Sequence, residues 1–346
     1  MNIKILGSGN EVGRSAILVE DRKRILLDCG VKIQPEPPSY PKVERVDAAI
    51  ISHAHLDHSG GLPMLQKKGK PSIFMNDVTL ELSSLLIRDS MKVAKKRGYG
   101  VPFTMKHVKK SLKHTRIVNY GENFNIGNFR CMLYDSGHIP GSSSIMLDNG
   151  KKVFYTADIQ TMESHLLNPC KLPQSCDVLI TESTYSYKNH AKRIEEEKRL
   201  ITEVEEAIAN NGTALIPVFA VGRAQEVLLI LKDYAKKIAV DGMAKTASEI
   251  ISEYSAYIKD PKELARILRT VRFVKSKEER MDALRKCPII ISSAGMLGGG
   301  PAVNYLREIQ KSRDSKVLFT GFLVEDSPGK PVNNTLLSLL FCISRK

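Results

Sequence analysis

Through the first half of the chain, short β-branched and apolar runs alternate with turns. They cover Ile3 to Leu6, Ser15 to Val19, Arg24 to Leu27, Ala48 to Ser52, Ser72 to Met75, Ser144 to Leu147, Lys152 to Thr156 and Asp177 to Thr181. Runs this short, separated by turn residues, predict a strand-rich, sandwich-like region with a few helices between, notably over 79–96. From Ala191 the pattern changes to helix, strand, helix. Residues 194–209 are charged and amphipathic, 213–219 and 288–292 read as buried strands, and 224–235 reads as a helix. The fold class is therefore α/β. The change predicts a first domain over 1–190, a second over 191–330 and an atypical tail over 331–346, in keeping with a length of 346 residues, too long for one ordinary core.

One apolar run ends in chemistry. Ile51-Ser52-His53-Ala54-His55-Leu56-Asp57-His58-Ser59-Gly60-Gly61 carries three histidines and an aspartate within six positions. On an extended chain alternate side chains share a side, so His53 and His55 face one locus, while Asp57 and His58 fall where the loop turns toward a helix. Neutral imidazoles mixed with a carboxylate suit zinc and leave room for water, and the spacing allows two adjacent ions. Further ligands are expected from other strand ends. His138 lies in the glycine-containing turn Ser136-Gly137-His138-Ile139-Pro140-Gly141, and Asp158, after Val153 to Ala157, could bridge two cations. Asp28 ends Ile25-Leu26-Leu27 and could orient a ligand histidine from behind, and Glu182 follows Val178 to Thr181. Singly, each is as consistent with a turn residue or cap as with a ligand, and their common strand-end placement unites them.

Composition narrows the partner. A net charge of +14 favours a polyanion, either nucleic acid or a membrane surface. From Arg88 to Arg116 there are ten Lys or Arg against one acid, Asp89, a candidate phosphate-contacting surface or else a solvated lysine face. The six cysteines form no Cys-x-x-Cys pair and read as reduced, buried thiols. No apolar run approaches the roughly 20 residues of a membrane span, and the first residues do not resemble a signal peptide, so a cytoplasmic protein without a membrane partner is expected. Gly7-Ser8-Gly9-Asn10-Glu11-Val12-Gly13 is a sharp turn rather than a dinucleotide fingerprint, because the next run is a strand. Gly298-Gly299-Gly300-Pro301 lacks the Lys of a phosphate-binding Walker loop, although its backbone N–H groups, with Ser292 and Ser293, could cradle an RNA phosphate.

The order Asp28, His53-x-His55-x-Asp57-His58, His138, Asp158 resembles the motifs of the metallo-β-lactamase fold, an αββα sandwich. Thr181-Glu182-Ser183-Thr184-Tyr185, Pro217 to Glu226, Asp241-Gly242-Met243-Ala244 and Ser292 to Leu297 with Gly300-Pro301 resemble its β-CASP nuclease branch, whose α/β domain is inserted into that sandwich. His55 to Gly60 and Leu85 to Asp89 are more similar to the endonuclease subunit of the cleavage and polyadenylation specificity factor than to RNase J. An RNA-binding extension before Met1, of the kind carried by archaeal members with KH domains, is not expected. The resemblance implies a zinc-dependent ribonuclease, acting in mRNA processing or decay, alone or as a homodimer. His53, His55 and His138 would hold one zinc, Asp57 and His58 would contribute to a second, and Asp158 would bridge them. A metal-activated hydroxide would attack an RNA phosphodiester, with Asp57, Glu182 and Asp28 in catalytic roles. Ser292, Ser293, Gly295, Arg223 and His190 would meet RNA phosphate. The chain departs from the family pattern after His190, where no histidine follows and the tail does not resemble the usual return to the first domain. This implies truncation, frameshift or divergence with an incomplete second zinc site. Two alternatives remain at this point: an inactive RNA-binding scaffold subunit, and a thioesterase or lactonase on the same fold.

Overall fold

The computed structural model describes residues 1–187, 189, 191–321, 323, 327–333 and the backbone of 338–340. It divides into two compact units, 1–162 with 169–184 and 163–168 with 185–345.

The first unit contains two sheets. One runs β1 (Asn2–Gly7), β2 (Ala16–Glu20), β3 (Arg24–Leu27), β4 (Ala48–Ile50), β5 (Ser72–Met75) and β6 (Thr115–Ile117), antiparallel up to β3 and parallel from there on. The other runs β11 (Val178–Ile180), β10 (Lys152–Tyr155), β9 (Ser143–Asp148), β8 (Phe129–Asp135) and β7 (Asn123–Ile126). Period-2 alternation sends Ile17, Val19, Ile25 and Leu27 into a core shared with Phe129, Leu133, Ile145 and Val153 of the second sheet. Their neighbours Ala16, Leu18 and Leu26 point the other way, onto helices α1 (Leu56–Ser59), α2 (Asp77–Lys96) and α3 (Met105–Lys113) and a 3₁₀ turn at Leu62–Lys67. Covered on both faces, β2 and β3 read as continuous apolar runs.

The second unit alternates helix and strand: α4 (Arg193–Ala209), β12 (Ala214–Pro217), α5 (Arg223–Ile230), β13 (Ile238–Asp241), α6 (Ala244–Glu253), α7 (Pro261–Thr270), β14 (Arg272–Phe273), α8 (Lys277–Lys286), β15 (Ile289–Ser292), α9 (Pro301–Ile309), β16 (Lys316–Phe319), α10 (Gly329–Asn333) and β17 (Ser338–Leu340). Its parallel sheet has the order β14-β13-β15-β12-β16-β17, with the three central strands β13, β15 and β12 fully buried. The helix expected over 224–235 stops at Ile230 and continues as a 3₁₀ turn, Lys232–Lys237. Most of the tail 331–346, and His190, lie outside the described residues. Among the described residues no helix is long and apolar enough to cross a membrane.

The segment 163–168 joins the second unit through charge, which local patterning could not foretell. Glu226 of α5 accepts the backbone N–H groups of His165 and Leu166 at 3.0 and 2.8 Å, and Arg193 pairs with both Glu226 and Glu197. His165 Nε2 meets Glu197 at 3.0 Å; that hydrogen bond raises the imidazole pKa above its ordinary 6.5, despite burial. Burial opposes ionisation of Glu197, but His165 and Arg193 outweigh it and hold its carboxyl below the ordinary 4.5. The contribution of His165 is thus full below about pH 6.5 and fades as pH rises through its raised value, while that of Glu197 is lost as pH falls through its lowered one. His165→Gln is therefore expected to destabilise by a few tenths of a kcal/mol near pH 6, discounted because the ring is half exposed, and by nothing near pH 9. Thermal melts of both proteins across that range check it, and an equal deficit at both pH values would rule out the ion pair as its source.

Candidate metal centre

The parallel strands β3, β4 and β5 end at a common edge, and the chain leaving each contributes to one site. After β4, Ile51 N still donates to Phe74 O at 2.9 Å, but Ser52 N turns to the Asp28 Oδ1 atom at 2.7 Å, so the ladder stops and His53 begins the loop. Asp57 and His58 lie where the loop turns into a helix, as expected. They form the one-turn helix α1, closed by His58 N and Ser59 N donating to His55 O at 3.0 and 2.9 Å.

The imidazoles of His53, His55 and His138 form a near-equilateral triangle, with ring centroids 5.1, 5.0 and 5.1 Å apart and planes at 73° to 81°. His138 arrives from the turn between β8 and β9, where Ser142 Oγ accepts the N–H groups of His138 and Ile139, both at 3.1 Å. That turn is clamped to α2: the Asn76 side-chain amide and Thr79 Oγ1 both donate to Gly141 O. Gly141 has φ +80°, and a Cβ there would lie 2.2 Å from Val78 Cγ1, so only glycine allows this approach.

Two donor groups result, His53, His55, His138 and Asp158, and Asp57, His58 and Asp158, with the atoms of each within 4.8 Å of one another. Asp158 is the shared member, its two oxygens 3.3 Å from His58 Nε2 and 3.4 Å from His138 Nε2. All six residues expected to be ligands are thus brought together.

Asp28 lies behind them, fully buried and in neither group. Its Oδ2 accepts from His58 Nδ1 at 2.7 Å, Ser52 Oγ at 2.8 Å and Tyr155 Oη at 2.8 Å. With one proton fixed on His58 Nδ1, Nε2 is the atom turned toward Asp57 and Asp158, where a proton or a cation sits between them. Ser52 Oγ, having given its proton to Asp28, accepts from His53 Nδ1 at 3.0 Å, which frees His53 Nε2. One carboxylate thereby sets the tautomers of a histidine in each group. Ser52 and Tyr155 escaped the sequence reading; Ser52 adjoins His53, but a tyrosine inside a strand gives no local signal.

The electrostatics differ across the site. Burial, with repulsion from His58 and His138, pushes the His53 pKa well down, keeping it neutral as a ligand must be. Burial also opposes charge on His58, but Asp158, Asp28 and Asp57 outweigh it and hold it well above the usual histidine range, so binding a cation there displaces a proton. Burial raises the Cys29 and Cys131 thiols to about 12, as expected for inert reduced cysteines, whereas Cys170 and Cys176 are partly exposed.

The remaining candidates fall elsewhere. Glu182, after β11, accepts Thr184 N at 3.2 Å and joins neither group. Arg223 opens α5. Ser292 is fully buried, Ser293 Oγ accepts Met243 N at 3.1 Å, and Gly295 is buried, so both serines are engaged inside the fold. His190 lies outside the described residues.

Two His and carboxylate groups joined by one aspartate at the edge of facing sheets, followed by a parallel α/β unit, define a metallo-β-lactamase-type protein with a β-CASP domain. The chain belongs to the β-CASP family of metallo-β-lactamase-fold nucleases. Residues 1–209 match the family model described as Anti-Pycsar protein Apyc1, and residues 224–332 match the one described as Beta-Casp domain. Probable RNase MJ4 of Methanocaldococcus jannaschii is 36% identical over 97% of this chain and 82% of its own length. RNase aCSPSF2 of Saccharolobus solfataricus is 33% identical over 95% of this chain and 68% of its own. Transcription termination factor FttA of M. jannaschii is 32% identical over 96% of this chain and 58% of its own.

Proposed function

We propose that this protein is a zinc-dependent ribonuclease hydrolysing RNA phosphodiester bonds in mRNA processing or decay. Its metal centre would sit in an αββα sandwich spanning 1–190, and 191–330 would be the β-CASP domain. The observation that carries the reading is the carboxylate of Asp158, common to two donor groups that Asp28 orients from behind. The donor set fits a metal. His53 Nε2 is buried without a hydrogen-bond partner among the described residues, a placement costing about 1–3 kcal/mol unless a ligand satisfies it.

His53, His55, His138 and Asp158 would hold one zinc, and Asp57, His58 and Asp158 a second. Bound there, the metals would supply Lewis acidity toward a phosphoryl oxygen and lower the pKa of water. The residues' own part is to fix geometry and handle protons. Asp28 holds a proton on His58 Nδ1 and, through Ser52, on His53 Nδ1, which turns their Nε2 atoms toward the metals, while Glu182, with the metal-holding Asp57, would orient or move a proton. Arg223 and the turn at Gly295, with Ser292 and Ser293, would meet RNA phosphate, His190 is a further candidate for that role, and a homodimer is compatible with this reading.

Among the described residues the second group offers three side chains against four in the first, and no histidine follows His190. That imbalance favours one other reading, an RNA-binding β-CASP subunit of weakened or lost activity. Metal analysis and cleavage of labelled RNA decide between them. About two zincs per chain, with cleavage that His55→Ala lowers at least about 100-fold, support the nuclease. Tight RNA binding without cleavage supports the subunit, and thioester turnover with RNA left intact would refute both.

A further inference from the structure

The helical layer of the first unit carries a cationic stripe that the metal centre does not use. Lys106, Lys109, Lys110 and Lys113 recur at i, i+3, i+4 and i+7 on α3, one face of the helix, with Val108 and Ser111 buried on the other. No acidic residue occurs between Asp89 and Glu122. Among the described residues no carboxylate lies within ion-pair distance of these four lysines, nor of Lys95 and Lys96 at the end of α2. By contrast, Lys245 on α6, Lys286 on α8 and Lys311 just past α9 are paired to Glu249, Asp282 and Glu308.

Helix stability does not account for the stripe. Like charges three and four apart repel, and Lys106 sits in the first turn of α3, where the helix dipole disfavours a cation. The end of α2 is remote from the metal centre. α2 starts beside Asn76, which holds the His138 turn, and its 20 residues carry the chain about 30 Å away at ~1.5 Å per residue. α3 in turn leads into the start of β6, whose opposite end lies on the edge where the ligands gather.

We propose that the α3 lysines, with Lys95 and Lys96, form an auxiliary site for the sugar-phosphate backbone of RNA, engaged by the part of a long RNA that extends beyond the metal centre. The inference rests on the ribonuclease reading and adds a length dependence to it. An RNA strand passing the metal centre presents evenly spaced phosphates, and an unpaired lysine row gains affinity by releasing their counterions without reading sequence. The apolar face of α3 is turned inward, so the surface offered is a cationic one rather than the apolar wedge of a membrane-surface helix.

The test is fluorescence anisotropy in EDTA with unstructured RNAs of about 6 and about 40 nucleotides, across a salt series. The full chain is compared with a variant carrying Lys106→Ala, Lys109→Ala, Lys110→Ala and Lys113→Ala, and with the matching four Lys→Arg changes. The alanine variant is expected to bind the long RNA at least about 10-fold more weakly, its salt slope lowered by about 2–3 at roughly 0.7 per lost contact. The short RNA should bind both alike, and the arginine variant should retain long-RNA affinity, which also reports an intact fold. Unchanged long-RNA affinity, or equal loss on both lengths, overturns the inference while leaving the nuclease reading intact if the unaltered protein cleaves RNA. Failure of the unaltered protein to bind or cleave RNA overturns both. Capture by anionic lipid vesicles that the alanine changes abolish, with RNA binding unchanged, would assign the stripe to a membrane.

Discussion

Asp28→Asn is expected to lower zinc affinity by about 10–100-fold although it removes none of the six candidate ligands. The carboxylate accepts four hydrogen bonds, Ser52 N on Oδ1 and His58 Nδ1, Ser52 Oγ and Tyr155 Oη on Oδ2. An amide has one acceptor oxygen. If it points at Ser52 N, its NH₂ group confronts the His58 Nδ1 proton, and the imidazole can escape only by moving that proton to Nε2. Nε2 is the atom 3.3 Å from Asp158, so the flip closes the lone pair a metal needs. If the amide turns the other way, Ser52 N loses its acceptor and the bend that starts the ligand loop loosens. Either way a buried network is left half satisfied, costing about 2–3 kcal/mol of stability. Zinc competition against a chromophoric chelator, with a denaturation curve on the same samples, measures both quantities. Zinc affinity equal to that of the unaltered protein would show that Asp28 does not set the tautomer of His58.

Gly30→Ala should be the most destabilising single methyl in the first unit, at about 3–5 kcal/mol. A Cβ at Gly30 would lie 1.6 Å from Asp57 O, 2.2 Å from Asp57 C and 2.8 Å from Ser15 N, all backbone atoms with no rotamer to yield. Three chain segments cross at this point. Gly30 N donates to Ser15 O at 2.9 Å, Ser15 N to Asp57 O at 2.7 Å and Val31 N to Leu56 O at 2.9 Å. Relieving the clash must push α1 outward, and with it Asp57 and His58. In metal titrations of protein still folded at low temperature, the ion held by Asp57 and His58 should be lost first, while the group of His53, His55 and His138 keeps its own. Gly100→Ala is the control: a Cβ there meets nothing within 4 Å, and a change of no more than about 0.5 kcal/mol is expected. A Gly30→Ala protein as stable as that control would show that the segments can part without cost.

The sequence by itself nominated the candidate ligands and the class of chemistry. His53, His55, Asp57 and His58 sit within one turn of chain, and His138 and Asp158 each follow an apolar run, so local spacing and strand-end placement sufficed to nominate all six. Strand positions in the first unit were equally legible, because short apolar runs bounded by turn residues mark strands buried on both faces; β3 and β5 fall on the expected residues, Arg24–Leu27 and Ser72–Met75. Short strands such as β6 and β14 and the helix α3 were missed, since two or three residues carry no period and the lysine-rich face of α3 reads equally as a solvated surface.

What only the tertiary structure decided is how those ligands are held. Asp28 meets Tyr155, Asn76 meets Gly141, and Gly30 meets Asp57 across separations of 127, 65 and 27 positions. The attachment of residues 163–168 through Glu226 and, among the described residues, the absence of a carboxylate within ion-pair distance of the α3 lysines arise in the same way. Periodicity and spacing report the forces each residue feels from its chain neighbours and from water. Hydrogen bonds and close approaches between distant segments exist only once the sheets have paired in register, and it is those contacts that turn a row of histidines into two donor groups around one aspartate.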